Sequence, residues 1–260
     1  MRARGTALLV PALVAACQGC LRHADRPGNT GPPVDYVRRS FQSSLAGCTD
    51  PSGVPATCVR IEVEYDEPTR ATVELTRAVA RFVAATVLRP VSDAGPPESA
   101  EALRDDLYES YREIQRNTPG YGVRWELERR MKVVCNTERV QGLVASERAF
   151  TGGSRPIERV QYVSFDTHTG ARIGLDALVA PEQRAQLLTE LAHRRQATPG
   201  TTPTPSMWSR GTQAPAQKDA APDSVLVCPD AFTFRWNDGA GGDVVVPHDE
   251  IRPLLRADAP

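Results

Sequence analysis

The chain predicts an α+β fold, antiparallel sheet(s) with helices packed on one face, and three observations carry that expectation. Val59, Ile61, Val63 and Tyr65 alternate with Arg60, Glu62 and Glu64, the period-two pattern of a half-buried strand. Two helical stripes follow, Leu75, Val79, Phe82, Val83 and Val87, then Leu103, Leu107, Tyr111 and Ile114. After "NTPGYG" the pattern reverts to strands: Val123, Trp125 and Leu127 alternate with charges, and "RVQGLVASERAF" and "IERVQYVSF" follow with turn residues between them. Strand, two helices and then a meander is the order of a sheet carrying helices on one side.

Taken from its start, the chain opens with a basic "MRAR" and the apolar "GTALLVPALVAA". That apolar run is too short to span a hydrocarbon core of ~30 Å, so residues 1–16 read as a signal peptide. "VAAC" resembles the lipobox of bacterial lipoproteins, which makes Cys17 the lipidated residue; ordinary cleavage nearby is the alternative. The expected location is extracytoplasmic and lipid-anchored. Gln18, in place of a retaining aspartate, points in a diderm cell to the outer membrane facing the periplasm. Residues 17–54 read as a tether with a Cys-bracketed turn, since "QGCLRHADRPGNTGPPV" is polar and rich in Pro and Gly.

Two subdomains are expected beyond the tether, residues 55–148 (strand, helix, helix, strand) and 149–256. In the second, "DTHTG" reads as a hairpin turn with Gly170 at positive φ. "DALVAPEQRAQLLTELAHRRQ" reads as one helix, with Pro181 near its first turn. Residues 197–223, with prolines 199, 203, 205, 215 and 222, read as a disordered insertion in which Trp208 is the exception. "SVLVC", "AFTFRW" and "DVVVP" read as strands, and "HDEIRPLL" as a short closing helix.

Composition excludes more than it assigns. The 31 basic and 32 acidic residues are interspersed and sum to a net charge of −1, which argues against a nucleic-acid partner. "TGGSR" lacks the spacing of a phosphate loop and precedes a strand, and no nucleophile elbow is present. His23, His168, His193 and His248 have no metal-ligand spacing, and Glu62, Glu64, Glu126 and Glu128 fit the polar faces of their strands. No catalytic residue, metal or cofactor is therefore assigned. Export makes cysteine pairing plausible. Cys48 and Cys58 bracket a short turn, and Cys135 and Cys228 each end an apolar strand-like run, so these are the two expected disulfides, with Cys20 left over.

The segment "LVASERAFTGGSRPIERVQYVSFDTHTGARIGLDALV", followed by a leucine helix, "FTFRWN" and "VVVPHDEI", resembles a bacterial extracytoplasmic domain family of unknown function. That family occurs in the lysozyme-sensing anti-sigma factor and ahead of the catalytic domain of a peptidoglycan deacetylase. The resemblance rests on Thr151–Arg155, Phe165, Asp166, Thr169, Gly170, Leu175–Leu178 and Val246–Pro247, over roughly residues 55–255. Arg155 stands where the family has histidine, and "NDGAGG" replaces a longer aromatic segment. The resemblance implies an envelope protein that binds a cell-wall component or an envelope protein; with no catalytic motif in the chain it is read as non-catalytic, and as a monomer. Arg155, Tyr162, Asp238 and Trp208 are the candidate contacts, taken as exposed groups near the Gly-Gly turn and the trimmed loop. A cell-wall-modifying hydrolase or deacetylase accessory protein, and a structural envelope lipoprotein, are the alternatives.

Overall fold

The structure is a computed structural model that describes residues 34–45, 58–92, 99–197, 221–237, 242–257 and 259. Five strands form the first sheet in chain order: β1 (Asp35–Ser44), β2 (Val59–Arg70), β3 (Trp125–Asn136), β4 (Val140–Phe150) and β5 (Ile157–Asp166). Between β2 and β3 the chain runs through α1 (Val73–Thr86) and α2 (Ala100–Asn117). Thr72 starts α1, its hydroxyl accepting from the Leu75 amide, and Ser99 does the same for α2 with Ala102. The apolar stripes of both helices settle on one sheet face. Leu75, Val79, Leu103 and Leu107 are buried there against Ile61, Val63, Leu127, Met131, Leu143 and Val163.

That helical crossover sets the one departure from an antiparallel meander. It returns the chain to the end at which β2 began, so β2 and β3 pair in parallel, while β1–β2, β3–β4 and β4–β5 are antiparallel. The structure also differs from the sequence reading at β1, which pairs antiparallel with β2 yet lies inside the stretch read as tether. None of its residues is fully buried, so its sequence carries little of the alternation that marks a strand.

A three-stranded antiparallel sheet follows: β6 (Ser224–Val227), β7 (Ala231–Trp236) and β8 (Gly242–Pro247). The expected single helix is two elements, α3 (Leu175–Leu178) and α4 (Pro181–Ala197), because Val179 leaves the helical path and bridges Leu255. Leu187 and Leu191 of α4 pack with Phe232, Phe234, Trp236, Val244 and Val246 in a second core. The chain then enters α5 (His248–Ile251) and a 3₁₀ turn, Arg252–Leu254. The fold is α+β as expected.

The two sheets meet on the face of the first that the helices leave free. Leu143 and Val163 point into the helix-covered core, so their neighbours Val144 and Tyr162 point the other way. There Tyr162, Cys135 and Leu226 form a small cluster with Val144, Val160 and Cys228. Two serines stitch the strands, the Val227 amide donating to Ser164 Oγ (2.8 Å) and the Tyr162 amide to Ser224 Oγ (3.3 Å). Cys135 and Cys228 form the expected cross-sheet disulfide, with Cα atoms 5.4 Å apart. The "DTHTG" turn is also as expected. Gly170 has φ 64°, and a Cβ there would lie 2.5 Å from the Glu74 carbonyl oxygen, which holds the turn against the first turn of α1.

Candidate functional site

β6 and its neighbours cover only one end of the free face of the first sheet. At the other end the outward residues are Arg60, Glu62 and Glu64 of β2, Glu126, Glu128, Arg130 and Lys132 of β3, and Ser146, Arg148 and Phe150 of β4. Their order follows from alternation, since Trp125, Leu127, Arg129 and Met131 take the opposite face.

Ion pairs run across these strands. Arg130 reaches Glu62 on β2 (2.6 Å) and Glu128 on its own strand (3.0 Å). Arg60 pairs with Glu62 (3.3 Å), Arg124 with Glu126, and Arg148 with Glu158 on β5 (3.7 Å). A shallow cleft of about 140 Å³ opens between them, lined by Arg60, Glu62, Glu126, Glu128, Arg148 and Phe150. Exposed pairs of this kind contribute only about 0–1 kcal/mol each to stability. What they do is hold guanidinium donors and carboxylate acceptors at fixed strand spacing beside one aromatic ring. That set suits a polar ligand with hydroxyl, amide or charged groups. None of these residues was singled out from the sequence as a contact, although period-two alternation places the charged ones on this face.

The "TGGSR" turn borders the same end. It follows Phe150 directly, and glycine is required at 152 twice over, by φ 92° and because a Cβ there would sit 2.2 Å from the Tyr121 hydroxyl. Gly153 needs no left-handed backbone. The Tyr121 hydroxyl accepts from Trp125 Nε1 (2.9 Å) and donates to the Thr151 carbonyl (3.4 Å), so the turn is tied to the first core. Trp125 is buried and meets Tyr111 edge-on at 5.4 Å. Arg155 stands exposed at the end of this anchored turn.

Tyr162 is placed differently from expectation. It is 9% exposed in the middle of β5, on the part of the sheet covered by β6. Its hydroxyl donates to Asp243 Oδ2 (2.6 Å), and Arg235 donates to the other carboxylate oxygen (2.8 Å). Burial first, and then the Asp243 hydrogen bond, push the Tyr162 phenol up to about 12. It ties the two sheets together and is buried, where the sequence predicts an exposed group. Asp238 and Trp208 lie outside the described residues, as do Cys17 and Cys48. Cys58 is buried and disulfide-bonded.

The histidines have local roles where they are described. His248 opens α5, its Nε2 lies 2.9 Å from the Cys228 carbonyl, and its ring stacks on Phe232 at 4.4 Å. His168 sits in the turn beside Thr167, and His193 is exposed on α4. Among the described residues no three His, Cys, Asp or Glu side chains group in a way that could hold a metal ion. No helix of the described residues is long and apolar enough to cross a membrane.

No family model matches the chain, and no curated protein sequence matches it. Solved structures do. The crystal structure of a DUF3298 family protein from Pseudomonas aeruginosa PAO1 has a TM-score of 0.57 at 15% identity, covering 87% of this chain and 96% of that one. A DUF3298 family member from Bacteroides fragilis has a TM-score of 0.57 at 16% identity, covering 89% of this chain and 96% of that one. The fold is thus shared, over most of the chain, with proteins of a family defined as a domain of unknown function.

Proposed function

We propose that this chain is a non-catalytic envelope protein that binds a cell-wall component or an envelope protein through the open half of its first sheet. It acts outside the cytoplasm, anchored to the membrane by a lipid on Cys17. The observation that carries the reading is the face itself: five strands, clamped at one end by a second sheet and a disulfide, present Phe150 among paired guanidiniums and carboxylates. The Cys135–Cys228 bridge supports an oxidising compartment, where such bonds persist. Ligands of the lysozyme or peptidoglycan type are favoured by the resemblance carried on Thr151–Arg155 and the "FDTHTG" turn.

The test is co-sedimentation of the Cys17→Ser full chain with purified peptidoglycan, and its capture on immobilised lysozyme. Retention by one of the two is expected, with a loss of about tenfold or more in Phe150→Ala/Arg148→Gln, the order of one lost aromatic or charge-assisted contact. Retention by neither would remove the support for a lysozyme or cell-wall ligand. Membrane association that survives Cys17→Ser unchanged would remove the lipid anchor.

A further inference from the structure

On the helix-covered side of the same sheet, three guanidiniums converge on one carboxylate. Arg129 and Glu147 are cross-strand partners on β3 and β4, and Arg159 faces Glu147 from β5. Arg129 is only 3% exposed; its Nε donates to Glu147 Oε2 (2.7 Å). Its Nη1 donates to the carbonyls of Val87 (3.2 Å) and Arg89, which tie off the end of α1. Its Nε and Nη1 donors are thereby taken up inside the protein. Arg89 donates to both Glu147 oxygens (2.9 Å each) and Arg159 to one (3.2 Å), and both keep about half their side chains exposed.

The charge is unbalanced. Three cations share one anion, and the charges acting on Arg129 are Glu147 on one side and Arg89 and Arg159 on the other. Beside them lies a cavity of about 70 Å³, lined by Thr86, Arg89, Ser146, Glu147, Arg159 and Gln161. Its size suits one small oxyanion group, not a whole ligand. The Gln161 carboxamide projects from the same strand face as Arg159 and makes no hydrogen bond to any described residue.

We propose that Arg89, Arg159 and Gln161 form an oxyanion site, which takes a carboxylate or a phosphate carried by a ligand of this protein. Arg129 and Glu147 act as its scaffold: the carboxylate spaces the two outer guanidiniums while leaving a surplus of positive charge for an incoming anion. The site lies on the face opposite Arg148 and Phe150, so it is separate from the binding face described above and stands or falls independently of it.

The test is titration of the Cys17→Ser full chain with sodium acetate and, separately, inorganic phosphate at low ionic strength, followed by amide chemical shifts of residues 85–89, 145–147 and 159–161. Saturable shifts confined to these segments are expected with at least one of the anions; acetate alone would mark the ligand group as a carboxylate, phosphate alone as a phosphoryl group. Arg159→Gln should weaken binding about tenfold or more, as expected for one lost charge-assisted hydrogen bond, and Arg89→Gln should do the same. Arg148→Gln, on the opposite face, should leave it unchanged. No saturable shift with either anion, or an affinity unchanged from the parent in both arginine variants while their melting temperatures match the parent, would overturn the site.

Discussion

Glu147 shows how much of this fold hangs on single side chains. Burial alone would raise its pKa, but the charges of Arg129 and Arg89 and their hydrogen bonds outweigh that and hold it below the usual carboxylate range. A carboxylate with a lowered folded pKa contributes stability that is present above its unfolded value and lost as pH falls through the folded one. Glu147→Gln should therefore cost about 3 kcal/mol at neutral pH, the low end for a buried pair losing one partner, because Arg129 keeps its two carbonyl acceptors. The cost should shrink as the parent is acidified below about pH 4. Urea denaturation of parent and variant at pH 7 and pH 3 checks both points.

Tyr162 works at the opposite end of the pH scale. Its phenol is raised to about 12, so the protonated form is favoured in the folded chain. The contribution is complete below the unfolded value of about 10 and is lost as pH rises through the folded one. Tyr162→Phe should cost about 1 kcal/mol at pH 7, one hydrogen bond to a carboxylate that keeps Arg235. It should also flatten the fall in melting temperature between pH 10 and 12. A variant that melts with the same alkaline slope as the parent would show that Tyr162 does not titrate with unfolding.

At the scale of elements, the disulfide and β6 decide how the sheets are joined. Cys135 sits just past a register shift in β3, between Val133 and Cys135, which turns its side chain toward β6. The bridge closes 93 residues, so the Cys135→Ala/Cys228→Ala pair should lose up to about 4.7 kcal/mol on the chain-entropy model. The loss should appear as earlier melting of the 224–247 sheet. Hydrogen exchange on β6–β8 compared with β2–β4 would show it, and equal acceleration in both sheets would contradict it.

Which elements the sequence made legible follows from how each is buried. α1, α2 and β2–β5 each bury one face, so 3.6- and 2-residue periods mark them. β1 escaped because it is an edge strand whose side chains are nowhere fully buried. Tyr162 was misplaced for the opposite reason: residues 162–165 are buried on both faces, by α1 on one side and β6 on the other, and alternation has no meaning there. The parallel β2–β3 pairing is a long-range consequence of the helical crossover that no local pattern records. At the candidate face, the charged residues were legible as polar positions, but Phe150 gains its place only when β4 is set in register with β3.

Taken whole, the molecule is a sheet with two different uses of its faces. One carries helices and, at their margin, a surplus of arginine charge; the other is half clamped by a second sheet and half open. A rigid platform of this kind can recognise a ligand without moving, since the two serine stitches, the Tyr162–Asp243 bond and the disulfide all fix its covered end. The most direct test is hydrogen–deuterium exchange of the Cys17→Ser full chain, with and without a saturating amount of whichever of lysozyme or soluble peptidoglycan fragments it retains. The predicted result is added protection at residues 60–64, 126–132, 146–150 and the 151–155 turn, with α2 and α4 unchanged. Protection confined to α2, α4 or the outer strands of the second sheet would contradict the assignment of the open sheet face as the binding surface.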